Sequence, residues 1–206
     1  MQEREFNHIQ LDALREINSI ACGNAATSLS EMLKRKVDVS VPRIRIEAVE
    51  KVPEALGGAQ KIVDAVYFSV SGRLAGSILL IFPHTASLNM AALLTGEEPG
   101  REENLDEFRI SAVKEMGNIT VGWYTRALAD MLKVRVTYSI PGFACDMLGA
   151  VLDGILARLA LKSEYAVISE NEFKAEALAH KMDLVFIPEP EALKFMLKAL
   201  GAGKKR

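Results

Sequence analysis

Residues 12–42, DALREINSIACGNAATSLSEMLKRKVDVSVP, return as residues 111–141, SAVKEMGNITVGWYTRALADMLKVRVTYSIP, at a constant offset of 99. Asp12, Glu16, Ser19 and Pro42 have Ser111, Glu115, Asn118 and Pro141 as counterparts. Between them Ile20 matches Ile119, Gly23 matches Gly122, Leu29 matches Leu128, and Met32-Leu33-Lys34 matches Met131-Leu132-Lys133. Val37 and Ser40 likewise match Val136 and Ser139. A duplicated core requires only that apolar positions recur. Here polar residues recur at fixed spacing, which points to two copies of a site.

Working outward, Ile9, Leu14, Ile17, Ala21, Leu29 and Met32 fall near helical spacing and predict a helix over 8–35, with Lys34-Arg35-Lys36 in its last turn. Val37 to Ile46 alternates as a strand, with Pro42 at an edge or bulge. Residues 50–60, around Pro53 and Gly57-Gly58, read as a loop. Val63–Val70 and Ala75–Phe82 read as strands joined by Ser71-Gly72-Arg73, followed by a helix from Pro83 to Thr95 that ends at Gly96. The charged run 97–104 connects the repeats. The second half then restarts with a helix over 105–132 and a strand over 134–140.

The ends of the halves also correspond. Leu79-Leu80-Ile81-Phe82-Pro83 resembles Leu184-Val185-Phe186-Ile187-Pro188, and Gly96 matches Gly201, now at an offset of 105. The second half has therefore gained six residues between Pro141 and Pro188. Phe143–Leu161 reads as an extra helix there, with Met147, Leu148, Val151, Leu152, Ile155 and Leu159 as its apolar face. Repeat one runs over about 8–96 and repeat two over about 105–201. Each alone has too little core, so the expectation is one α+β domain over 1–206. In it, a pseudo-two-fold pair of long motif-bearing helices packs with a β-sheet.

Composition narrows the function. With 206 residues, 50% of them apolar, the chain can bury a sizeable core, and its net charge of −2 argues against nucleic-acid binding. Lys204-Lys205-Arg206 reads as a solvated end. Cys22 and Cys145 align with Val121 and Ile46 and so read as reduced core thiols. His8, His84 and His180 form no metal-ligand spacing, and no metal or cofactor of the protein's own is expected. Residues 1–5 are charged and no window has the apolar length of a membrane span, so a cytoplasmic monomer without membrane insertion is expected.

On a helix, Asp12, Glu16, Ser19 and Gly23 stand at i, i+4, i+7 and i+11, within an arc of about 60°. Ser111, Glu115, Asn118 and Gly122 do the same. A solvated helix face is the bland alternative. Against it, mid-helix glycine costs about 1 kcal/mol relative to alanine, yet both stripes carry one. Glycine beside a carboxylate and an amide lets another backbone approach, as at a docking face. An amide is neither acid nor base at neutral pH, but it can orient a water. Phosphoryl hydrolysis needs chiefly such positioning. A carboxylate would repel a phosphate and is better used to pair with a cation on a partner.

These residues resemble the CheC/CheX/FliY family of chemotaxis phosphatases, whose signature is [D/S]-x3-E-x2-N-x22-P. Both copies fit its spacing, the likeness spans essentially the whole chain, and the order of elements is similar to the two-site members. The resemblance implies a substrate, the aspartyl phosphate of the receiver protein CheY. It implies that Glu16 and Glu115 engage a receiver lysine, that Asn118 orients the attacking water, and that the magnesium ion belongs to the receiver. Asp12, Ser111, Gly23 and Gly122 complete the docking stripes. The first copy departs from the signature, with Ser19 in the asparagine position and Asn18 about 100° around the helix. The resemblance also implies a second partner, the receptor deamidase CheD, bound through the segment Phe143–Ala150 with Asp146; a helix N-terminus that favours an aspartate is the alternative reading of that segment. Two other readings stay open, a mainly non-catalytic binder of CheD and CheY, favoured by Ser19, and a structural component of the flagellar switch.

Overall fold

Leu14, Ile17, Ala21, Ala25 and Leu29 line the inner side of helix α1 (His8–Leu33), and all are buried. Val113, Met116, Val121, Tyr124 and Leu128 do the same in α4 (Glu107–Leu132), which packs against α1. Each of the larger aliphatic side chains among them contributes about 1.5–3 kcal/mol of transfer free energy, so the apolar stripe opposite the polar one fixes how both helices lie. The computed structural model describes residues 8–100, 104–158, 163–175 and 178–202. The charged N-terminus, the middle of the connection between repeats, residues 159–161 of the predicted extra helix and Lys204-Lys205-Arg206 lie outside the described residues.

Among the described residues seven strands form one antiparallel sheet. They are β1 (Val37–Ala48), β2 (Ile62–Gly72), β3 (Gly76–Pro83), β4 (Val136–Tyr138), β5 (Gly142–Met147), β6 (Tyr165–Ala175) and β7 (Leu178–Pro188). The order is β1-β6-β7-β3-β2-β4, with β5 also on β2. The repeats therefore exchange strands. β1 of repeat one pairs with β6 of repeat two, β4 and β5 of repeat two pair with β2 of repeat one, and β3 pairs with β7 at the centre. β3 and most of β2 and β7 are buried on both faces. The long helices lie on one face with α3 (His84–Thr95) and α6 (Pro190–Ala202). On the other, α2 (Val52–Ala55) and α5 (Leu148–Arg158) cover a smaller apolar cluster around Val63, Leu79 and Val185.

The predicted elements of repeat one are found with small shifts. Gly96 closes α3 in the left-handed conformation at φ 78°. Lys34 and Lys133, at matched positions after the long helices, both adopt φ above 50°. The cations therefore follow the last turn of α1 rather than lie in it. Register on the edge strand β1 shifts between Ser40 and Arg43, where Pro42 falls, and its counterpart Pro141 falls in the break between β4 and β5.

Four expectations are corrected. Residues 49–55 are not loop but a 3-10 turn (Val49–Lys51) running into α2, with Pro53 near the helix start. The extra helix begins only at Leu148, because Gly142–Met147 is held extended by pairing with β2, tertiary pairing overriding a segment without strand alternation. The helix α5 also has a first-half counterpart, the much shorter α2, so the added residues lengthen an existing element. Gly201 lies inside α6 and does not cap it as Gly96 caps α3.

Candidate phosphatase site

In α1, Asp12, Glu16, Ser19 and Gly23 are all exposed, on the side opposite Leu14 and Ile17. Asp12 pairs with Arg15 at 2.8 Å on the exposed surface, an interaction worth little. Among the described residues no hydrogen bond engages Glu16 or Ser19. Asn18 is buried and donates from Nδ2 to Leu14 O at 2.9 Å. Its amide is spent inside its own helix and cannot serve in place of Ser19.

In α4, Ser111 and Glu115 are exposed and Asn118 and Gly122 half-buried. Asp106 caps the helix by accepting from Arg109 N at 2.8 Å. Ser111 donates to Glu107 O at 2.9 Å. The Asn118 amide makes no hydrogen bond among the described residues, and it opens into a shallow groove of about 320 Å³. Ile119, Gly122, Trp123 and Arg126 of α4, Ser28 of α1 and Tyr138 of β4 line that groove with it. Trp123 donates from Nε1 to Ser28 Oγ at 3.0 Å, and the Arg126 guanidinium lies 5.2 Å from the Trp123 ring centroid. Tyr138 meets Phe68 edge-on at 5.8 Å. Beside them Ile140 is 89% exposed, an apolar side chain with nothing of its own to cover it.

The two stripe glycines have different reasons. A Cβ on Gly122 would lie 2.9 Å from Tyr138 Oη, so Gly122 makes room for a side chain of the same molecule. A Cβ on Gly23 would meet nothing within 4 Å, which leaves that surface open to another molecule. The difference follows from the duplication, since Val39 occupies the position matched to Tyr138. Asn24 and Thr27 likewise stand where Trp123 and Arg126 stand. Only the second stripe has an aromatic wall. Periodicity and the signature single out the acidic and amide residues but not Trp123, Arg126, Tyr138 or Ser28. The available signal was Trp123, a tryptophan immediately after the stripe glycine, on a helix face expected to be polar.

Asp146 is not on a helix. It is exposed near the end of β5, and its Oδ1 accepts from Met147 N at 2.7 Å, just before α5 begins. It borders a small hollow with Tyr67, Ala144, Val151 and Ile155 under α5. Of the two thiols, Cys22 is buried as expected, and burial pushes its pKa up to about 11. Cys145 is exposed instead, on β5, whereas its counterpart Ile46 on β1 is half-buried. No helix among the described residues is long and apolar enough to cross a membrane.

The arrangement holds no nucleophile–base pair at either stripe. Each stripe offers an exposed carboxylate, and the second adds, three residues on, an amide with open hydrogen-bonding capacity, so the chemistry available is to position something that a partner brings.

The CheC-like family matches this chain over residues 9–46 and 108–145, the two copies of the repeated segment. The chain is 30% identical over 204 residues to the CheY-P phosphatase CheC of Bacillus subtilis (strain 168), covering 96% of this chain and 98% of that one. The flagellar motor switch phosphatase FliY of the same organism is 24% identical over 137 residues, covering 66% of this chain and 36% of FliY. The crystal structure of Thermotoga maritima FliY matches with a TM-score of 0.79 at 23% identity, over 97% of this chain and 100% of that chain, a likeness of fold.

Proposed function

The chain belongs to the CheC-like family, and we propose that it is a protein phosphatase that hydrolyses the aspartyl phosphate of CheY through its second stripe. The observation that carries this reading is the Asn118 amide, open to a groove and without a hydrogen bond among the described residues. In the proposed reaction Glu115 pairs with a receiver cation and sets the docking register. Asn118 accepts from and donates to a water held in line with the phosphorus. The water oxygen forms its bond to phosphorus as the bond to the aspartyl oxygen breaks. The carboxylate leaves, and the water proton passes to the departing phosphate or solvent. The magnesium ion is the receiver's, and this chain supplies position rather than charge neutralisation. A single chain carries both stripes, so a monomer suffices.

The test is inorganic phosphate release from acyl-phosphorylated CheY with and without the protein. Acceleration at substoichiometric protein supports the reading, and an unchanged rate with measurable binding would leave only the binder. That second reading has its own support in Ser19. For CheD, the support is the exposed Asp146 beside the hollow under α5. It accommodates a partner without involving either stripe.

A further inference from the structure

We propose that Asp64, His84 and Cys145 form a binding site for a zinc-type divalent transition-metal ion. Asp64 on β2 stands directly opposite Cys145 on β5 in the ladder, and His84 is the first residue of α3. His84 Nδ1 lies 2.9 Å from Asp64 Oδ2 and 3.9 Å from Cys145 Sγ. One donor atom from each residue falls within 4.8 Å of the others. Residues 20 and 61 positions apart in sequence are thus brought to one point, His84 by the β2–β3 pairing and Cys145 by the β2–β5 pairing, which is why no spacing in the chain announces them.

Two further observations separate a metal site from the alternatives. Asp64 is completely buried, yet its Oδ1 has no hydrogen-bond partner among the described residues, a carboxylate oxygen left short of a cation or donor. The contacts of the imidazole with Asp64 and with Cys145 run to the same nitrogen, Nδ1. A Cys-His-Asp relay needs the thiol and the carboxylate on opposite nitrogens, so the cluster converges on a point instead of passing a proton.

The donor set selects the ion. Sulfur, imidazole nitrogen and one carboxylate oxygen suit zinc and its d-block neighbours, whereas magnesium and calcium take oxygen. At tetrahedral zinc, bonds of about 2.0–2.3 Å put neighbouring donors about 3.3–3.6 Å apart. The His–Asp contact would open and the His–Cys contact close by about 0.3–0.4 Å each, shifts within side-chain reach. Cys145 is exposed, which gives an entry path and leaves a fourth position for water.

The probe is Co2+, titrated into the chelator-stripped full chain under a non-thiol reductant. We expect one ion per chain, with the d–d absorption of a tetrahedral site and a thiolate-to-cobalt charge-transfer band, displaced by Zn2+. Cys145→Ser, at an exposed position that leaves the His84–Asp64 contact, should lose the charge-transfer band, while Cys22→Ser keeps it. His84→Gln, which retains a donor for Asp64 but is a poor ligand, should bind at least about tenfold more weakly. Zn2+ should raise the melting temperature of the parent and not of Cys145→Ser. No charge-transfer band in the parent, or a band that survives in Cys145→Ser, would overturn the assignment. None of these readouts depends on phosphatase activity.

Discussion

Asn118→Ala separates a positioning role from a structural one. The amide makes no hydrogen bond among the described residues, so its removal orphans no partner. Alanine is the better helix former by about 0.5 kcal/mol, and the variant should melt no lower than the parent, at most about 2 °C higher. Activity should move in the opposite direction. Removing one preorganised polar group that acts on the reacting centre costs about 10²–10³ in rate, or about 2.7–4 kcal/mol. The observed loss is capped by whatever the first stripe contributes. Two equal sites would limit it to about twofold, whereas a site weakened by Ser19 allows at least about tenfold, equivalent to about 1.4 kcal/mol. The assay is initial-rate phosphate release from acyl-phosphorylated CheY, with receiver binding measured alongside. A variant that melts normally, binds normally and keeps more than half of the rate would refute both the role of Asn118 and the inequality of the stripes.

Ser19→Asn restores the missing amide, but Asn24, Thr27 and Val39 replace the groove wall of the second stripe. The same assay should show a gain of less than twofold, and a doubling would mean the wall is dispensable. Gly117→Ala puts a Cβ 2.8 Å from Val66 Cγ1, an overpacking worth about 1–3 kcal/mol, whereas Gly23→Ala meets nothing and should stabilise by about 1 kcal/mol; urea titration decides. Asp183 faces Glu170 across the β6–β7 ladder, and burial first, then Glu170, pushes it up to about 6 against the pull of Lys61, Lys181 and Arg45. A carboxyl raised in the fold loses stability as pH climbs from about 4 through 6, so Asp183→Asn should stabilise above pH 6, by up to about 3 kcal/mol, and do little at pH 4. Equal effects at both pH values would exclude that origin. Asp146→Lys should abolish CheD binding and spare phosphate release, because Asp146 on β5 lies on neither stripe; undiminished CheD affinity in a titration rejects the contact.

The long helices and the β2–β3 hairpin were legible because each carries its own period, 3.6 or 2, and its own terminators. β5 was not. Ala144-Cys145-Asp146-Met147 has no alternation, and only the backbone of β2 makes it a strand. The exchange of strands between repeats was equally hidden, since a duplication reveals that two units are alike but not which strand pairs with which. At the site, the acidic and amide positions could be read directly from the repeat. The wall could not, because Tyr138 reaches Asn118 only through the β2–β4 pairing and Ser28 only through the packing of α1 on α4.

The divergence of the stripes extends beneath their surfaces. Gly117 lets α4 settle onto Val66, and the matched residues on the other side are Asn18 under α1 and Asn171 on β6. Both are buried asparagines satisfied locally, Asn18 by Leu14 O and Asn171 by Ser169, with Cys22 as a further neighbour of Asn171. One helix thus rests on an apolar seat and the other on a polar one. Strand exchange explains how the fold tolerates this. Each half of the sheet is completed by the other repeat, so both helices are held by shared strands whatever their exposed residues become. An exposed serine at position 19 therefore carries no folding penalty, and loss of the groove wall above the polar seat carries little. Selection on stability cannot keep the first stripe intact. Only its use by a partner could, and the open surface at Gly23 beside an intact Glu16 is what a stripe that docks without hydrolysing would retain.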